Sequence, residues 1–166
     1  MRRTRLGITG TEILVHAVLL VAALACVFPA TFLRGAMIAP GDVLYETYPW
    51  KAYSTGDQPY THRLILDAIT AMAAYYAVGE RDLEEGVWPL WNPLEYGGMP
   101  LLANFQSAVF YPPRLLHAFL DLFVATTLYI LLKLWLCGMT AYVCGRGLGL
   151  SRGMARILSL AWMLAT

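Results

Sequence analysis

The chain has 166 residues, 58% of them hydrophobic and 14% charged, with mean hydropathy +0.55. A soluble domain carries about a quarter charged residues and under about half apolar ones, so this composition, gathered into long runs, points to a membrane protein. Twelve basic against 11 acidic residues (net +1) give no case for nucleic acid, and the apolar excess excludes a disordered chain.

Residues 1–12 carry Arg2, Arg3 and Arg5, and Ile13 to Leu33 follows as 21 residues without a charge. At about 1.5 Å per residue that run spans the ~30 Å hydrocarbon core. The positive-inside rule sets the N-terminus in the cytoplasm and residue 34 outside. A cleaved signal peptide is the rival reading, with Ala23-Leu24-Ala25-Cys26 faintly resembling a lipoprotein cleavage box. A retained anchor is preferred because the apolar run continues past Cys26 and further membrane segments follow. His16 reads as a helix-packing residue. Cys26, Cys137 and Cys144 lie in apolar segments with no C-x-x-C pair, which argues against a disulfide framework or a thiolate metal site.

Arg34 to Arg114 is an 81-residue loop, too long to be unstructured, and it is expected outside the cell. Nine acids against five bases make it net −4, and it holds 13 of the 21 aromatic residues. An acidic, aromatic face beside a membrane suits sugars and amphipathic lipids, although Trp and Tyr also simply belt the interface. Thr61 to Val78 reads as an interfacial helix closed by Gly79. Crossing the membrane there would submerge Asp67 and invert the charge bias of the flanking segments. Trp88 to Pro100 holds three prolines and a Gly-Gly pair, which predicts a rigid turning loop pinned by Trp88, Trp91 and Tyr96. Asn92, Asn104 and Gln106 beside these rings, with Trp50 upstream, are the apparatus of a sugar pocket, and equally of a loop that ties down its own backbone.

Residues 115–121 are expected as a short surface helix and 122–144 as the second span. Residues 145–156, with Arg146, Arg152 and Arg156 and no acid, form a cytoplasmic loop, and 157–166 begin a third span. The apolar run from Ile157 stops after half a crossing, so the expectation is an N-terminal fragment of a larger, mainly α, multi-pass protein. Lys133 falls inside the second span, either as a functional charge or as a lysine paired within the bundle. Gly138, Ala141 and Gly145 suggest close helix contact.

Gly41-Asp42, Tyr48-Pro49-Trp50, Leu66-Asp67 and above all Pro89-Leu-Trp-Asn-Pro93 through Gly97-Gly98-Met-Pro-Leu-Leu-Ala-Asn-Phe-Gln-Ser-Ala-Val-Phe-Tyr-Pro112 resemble the YfhO family of bacterial membrane proteins. These are of the GT-C glycosyltransferase type. The resemblance implies transfer of a sugar from a polyprenyl-phosphate donor to a cell-envelope glycan or polymer acceptor, on the outer face of the cytoplasmic membrane. It also implies that Asp42, in the first external loop, is the catalytic base, since a carboxylate within ~3 Å can take the proton of an attacking hydroxyl. Asp67 would orient the acceptor or assist a divalent metal ion, which nothing else in the sequence indicates. Arg114, at the mouth of the second span, would grip the carrier phosphate with its planar fork, or serve as an interfacial anchor. A reading from another class is a non-catalytic multi-pass scaffold or transporter subunit whose outer loop binds a glycan.

Overall fold

Thr9 opens the first helix. In the computed structural model, which describes residues 8–39, 41–46, 48–54 and 67–165 apart from the side chains of Asp42, Glu46 and Ala68, helix α1 runs Gly10–Val27. The Thr9 hydroxyl accepts a hydrogen bond from the Glu12 amide at 3.2 Å, satisfying one of the amides a helix start leaves free. The expected uninterrupted run to Leu33 is corrected at Phe28, where φ −117° and ψ 58° break the helix before α2, Pro29–Arg34. Pro29 has no amide to bond back to Ala25, and its ring displaces the residue before it from helical geometry.

Helix dominates the remainder. Short 3-10 turns occupy Gly41–Glu46 and Trp50–Tyr53. A widened turn at Ala68–Met72 leads into α3, Ala73–Glu84. Of the helix expected over 61–78, residues 61–66 lie outside the described residues. The expected stop at Gly79 is corrected, because α3 runs five residues further. A glycine inside a helix costs only about 1 kcal/mol, too little to end one by itself. The stop comes at Gly86, whose φ of +71° closes the end, with the Val87 amide bonded to the Asp82 carbonyl at 2.7 Å.

The loop from Trp88 contains a two-residue antiparallel pair, β1 Trp91–Asn92 with β2 Met99–Pro100, in register Trp91 to Pro100 and Asn92 to Met99. Gly98, at φ +117°, lies under the Trp91 indole, and a Cβ there would come within 2.7 Å of the ring. Only glycine fits that approach. Further 3-10 turns at Phe105–Ser107 and Pro112–Ala118 precede α4, Leu122–Gly147, and α5, Arg152–Leu164. The helix expected over 122–144 therefore begins at Leu122 and ends three residues later, at Gly147. The basic loop shrinks to a turn, because Ser151 caps α5 through a bond from the Met154 amide.

Two helices, α1 and α4, are long and apolar enough to cross a membrane. Only 22% and 17% of their apolar windows are buried within the protein, unlike the core helix of a soluble domain. The chain divides into two compact units, Met1–Ala36 with Ile130–Thr166, and Met37–Tyr129.

In the first unit, Leu20, Leu24 and Met163 form a core against Leu131, Leu134, Trp135 and Leu160. Gly138 lets the helices close, since a Cβ there would meet Leu20 Cδ1 at 2.9 Å and Ser159 Oγ at 3.3 Å. Glu12 joins three helices. Its Oε1 accepts from Tyr142 Oη at 2.6 Å and Arg146 Nε at 2.8 Å, and its Oε2 accepts from Arg152 Nε at 3.0 Å. One turn on, the Ser159 hydroxyl donates to the Gly138 carbonyl at 2.6 Å, so His16 Nε2, 2.9 Å from the same oxygen, is the donor of that pair. His16 also stacks on Tyr142 at 3.9 Å. His16 is thus a packing residue bonded across helices. Lys133 sits on an exposed face of α4 rather than in the bundle interior.

Candidate functional site

In the unit Met37–Tyr129, three elements meet at Arg114. The 3-10 turn Pro112–Ala118 starts on two prolines, which lack the amides a helix start leaves unbonded. Three residues per turn place positions 114 and 117 on one edge, so Arg114 and His117 stand together. Both are buried, at 6% and 2% exposure. Helix α3 supplies Tyr76 and, one turn on, Glu80. The first turns of α4 supply Thr126 and Tyr129.

The Arg114 guanidinium carbon lies 3.2 Å from the Tyr76 ring centroid and 5.9 Å from that of Tyr129. Such a desolvated cation–π contact is worth about 2 kcal/mol. Arg114 Nη1 lies 3.4 Å from His117 Nε2, and Thr126 Oγ1 lies 3.3 Å from the same nitrogen. A guanidinium has no lone pair to offer, so Nε2 is the acceptor and the imidazole proton sits on Nδ1. Burial, then the adjacent Arg114 charge, push the His117 pKa down to about 4 against an opposing pull from the Arg114 backbone, so the ring is neutral at physiological pH. Burial also lowers the Arg114 pKa, opposed by Tyr76, Tyr129 and Glu80. Glu80 moves upward, through burial first and then the charges of Glu84 and Asp121, with the Leu122 amide and Arg114 pulling the other way. Among the described residues no carboxylate comes within ion-pair distance of Arg114.

Two buried nitrogens are left over. Arg114 Nε and His117 Nδ1 have no hydrogen-bond partner among the described residues. Both are N–H donors, and each buried donor left unpaired costs about 1–3 kcal/mol, more where it is charged. A fixed cation and a neutral N–H side by side suit an anionic oxygen ligand. The turn that carries them ends four residues before α4 begins.

The other expected site residues are dispersed. Asp42 lies on the turn Gly41–Glu46, and its side chain is outside the described residues. Asp67 is exposed at the start of the widened turn. Trp50, Trp88 and Trp91 are exposed, with the Trp88 ring tilted by 50° against Phe110 at a centroid distance of 5.8 Å. Asn92 is buried and its Oδ1 accepts from the Leu94 amide at 3.0 Å. Asn104 Oδ1 likewise accepts from the Gln106 amide at 3.0 Å, while the Gln106 side chain is exposed. Both asparagine oxygens are therefore engaged in fixing their own loop. Sequence reasoning missed Tyr76, Glu80, His117, Thr126 and Tyr129. His117 had a signal in its three-residue spacing from Arg114 after a Pro-Pro start, whereas nothing local pairs α3 with that turn. Among the described residues no group of three His, Cys, Asp or Glu side chains is placed to hold a metal ion. No known protein family, curated protein or solved structure matches this chain.

Proposed function

We propose that this protein is a membrane glycosyltransferase similar to the YfhO proteins, moving a sugar from a polyprenyl-phosphate carrier to a cell-envelope acceptor on the outer face of the bacterial cytoplasmic membrane. The observation that carries this reading is the pair of buried, unpartnered donors on Arg114 and His117 just ahead of α4. A lipid phosphate lies at the depth where such a helix begins, and its oxygens would satisfy both donors. Asp42 acts as the base. It takes the proton of the acceptor hydroxyl while that oxygen bonds to the anomeric carbon. The bond from that carbon to the carrier phosphate breaks, and Arg114 holds the phosphate as it leaves. Asp67 supports the acceptor. The arginines near the α4–α5 turn favour the cytoplasmic side for that turn and the outer side for Met37–Tyr129.

The test uses the full chain in lipid nanodiscs. Polyprenyl phosphate should bind, polyprenol of equal length should not, and Arg114→Lys should weaken the phosphate complex. Asp42→Asn should leave binding intact and lower transfer by about 10²- to 10⁴-fold. Equal binding of alcohol and phosphate overturns the anion site. Wild-type transfer by Asp42→Asn overturns the base, and phosphate binding without any transfer favours a non-catalytic, glycan-binding scaffold.

A further inference from the structure

From Tyr96 through Leu120 the chain runs 25 residues with no Asp, Glu or Lys, and its only basic side chains are Arg114 and His117. Both are buried, so this stretch exposes no charge at all. A water-facing stretch of that length would carry about six charged residues at the usual frequency of roughly a quarter. What it exposes instead is aromatic and apolar. Tyr96 and Phe105 are each 96% exposed and Phe119 is 84% exposed, with Leu102, Phe110 and Leu115 also open. The neighbouring helix α3 has the opposite surface, with Arg81 and Glu84 exposed. Charge is thus segregated within one unit, and isolated surface apolar residues do not produce that pattern.

We propose that Tyr96–Leu120 is a bilayer-docking surface, seated at the boundary between lipid headgroups and acyl chains. The occupant is lipid because this surface continues along the chain into α4. Phe119 stands three residues before that helix, Phe123 in its first turn is exposed, and α4 is itself apolar enough to cross a membrane. Asp121 marks the aqueous edge, its Oδ1 capping α4 through the Phe123 amide at 2.9 Å and the Val124 amide at 3.4 Å. Backbone chemistry sets the depth. The stretch has no long helix or closed sheet, and its amides are met turn by turn, as in Asn104 to Leu101, Ser107 to Asn104 and Tyr111 to Ala108. A backbone of that kind cannot enter the hydrocarbon centre, where each unpaired group costs several kcal/mol, but it is tolerated about 5–10 Å into the boundary.

The full chain, with its three cysteines replaced by serine, receives single cysteines at Tyr96, Phe105 or Glu84, each carrying a nitroxide, in phosphatidylcholine–phosphatidylglycerol vesicles. The first two sites are almost fully exposed, so substitution leaves packing undisturbed. Labels at Tyr96 and Phe105 should collide with oxygen and be shielded several-fold from a water-soluble nickel chelate, while the Glu84 label shows the reverse. Nickel access at Tyr96 and Phe105 equal to that at Glu84 overturns the proposal. So does spin–spin broadening between labels, which marks a second copy on this face, and so does exclusion of both reagents, which marks burial against protein.

Discussion

Acidification should destabilise this protein through His117 in a calculable way. The folded state holds the ring neutral beside Arg114, with its pKa pushed from 6.5 to about 4. The unfolded chain takes up a proton near the ordinary histidine value of about 6.5. Above that pH neither state binds the proton and the site contributes its full stability. As pH falls toward 4 the unfolded state gains a proton that the folded state refuses, so stability is lost through that window and levels off below it. At about 1.36 kcal/mol per unit, linkage between the two values gives a loss of at most about 2 kcal/mol between pH 7 and pH 5. The groups facing the ring are Arg114 on its own turn, Tyr76 from α3, and Thr126 and Tyr129 from α4. Glu80, whose pKa burial raises, shares the Arg114 cluster, so the loss is assigned to His117 only through the difference from a variant that lacks the ring. Unfolding in detergent micelles, wild type against His117→Asn, isolates it, because all other titrations cancel in the difference. Wild type should lose the extra stability and the variant should not. Parallel loss in both proteins would refute a neutral, cation-flanked His117.

Gly138→Ala gains about 1 kcal/mol of helix propensity but meets Leu20 Cδ1 at 2.9 Å, and Leu20 is fully buried in the core of this unit. Overpacking of about 1–3 kcal/mol should win, with Gly138→Val worse still, and an alanine variant melting above wild type in micelles would contradict this packing. Glu12→Gln removes the carboxylate shared by Tyr142, Arg146 and Arg152, so thermal unfolding should come at lower temperature and become less sensitive to salt; an unchanged profile would mean the cluster is dispensable. Single cysteines at Ser54 and Ser151, in a background lacking the native ones, should label differently with an impermeant reagent in intact cells, Ser54 reacting and Ser151 protected. The opposite pattern would reverse the orientation.

Asp67 and Arg114 are both expected at the site, yet they occupy different surroundings. Asp67 is exposed, whereas Arg114 is stacked under Tyr76 and buried. Residue type does not encode that difference, because an arginine beside a span reads as an interfacial anchor until the packing of its neighbours is known. The asparagines show the same limit. Asn92 and Asn104 suit a sugar pocket by composition, and their geometry bonds them to amides two residues ahead.

Local patterns were sufficient for much of the chain. The two long apolar helices, the turn-rich stretch after Trp88 and the start of α4 at Leu122 are all legible in residue order, because periodic hydrophobicity, proline and glycine act over a few residues. The break at Phe28 was equally written in Pro29. What only the tertiary structure decided are partnerships across distance: Glu12 with Arg146 and Arg152, His16 with Ser159 at a separation of 143 residues, and Tyr76 over Arg114. The pairs made by Glu12 and His16 depend on which helix faces come together, a choice made by packing around residues such as Gly138 and Leu20, and Tyr76 meets Arg114 because α3 packs against the turn Pro112–Ala118.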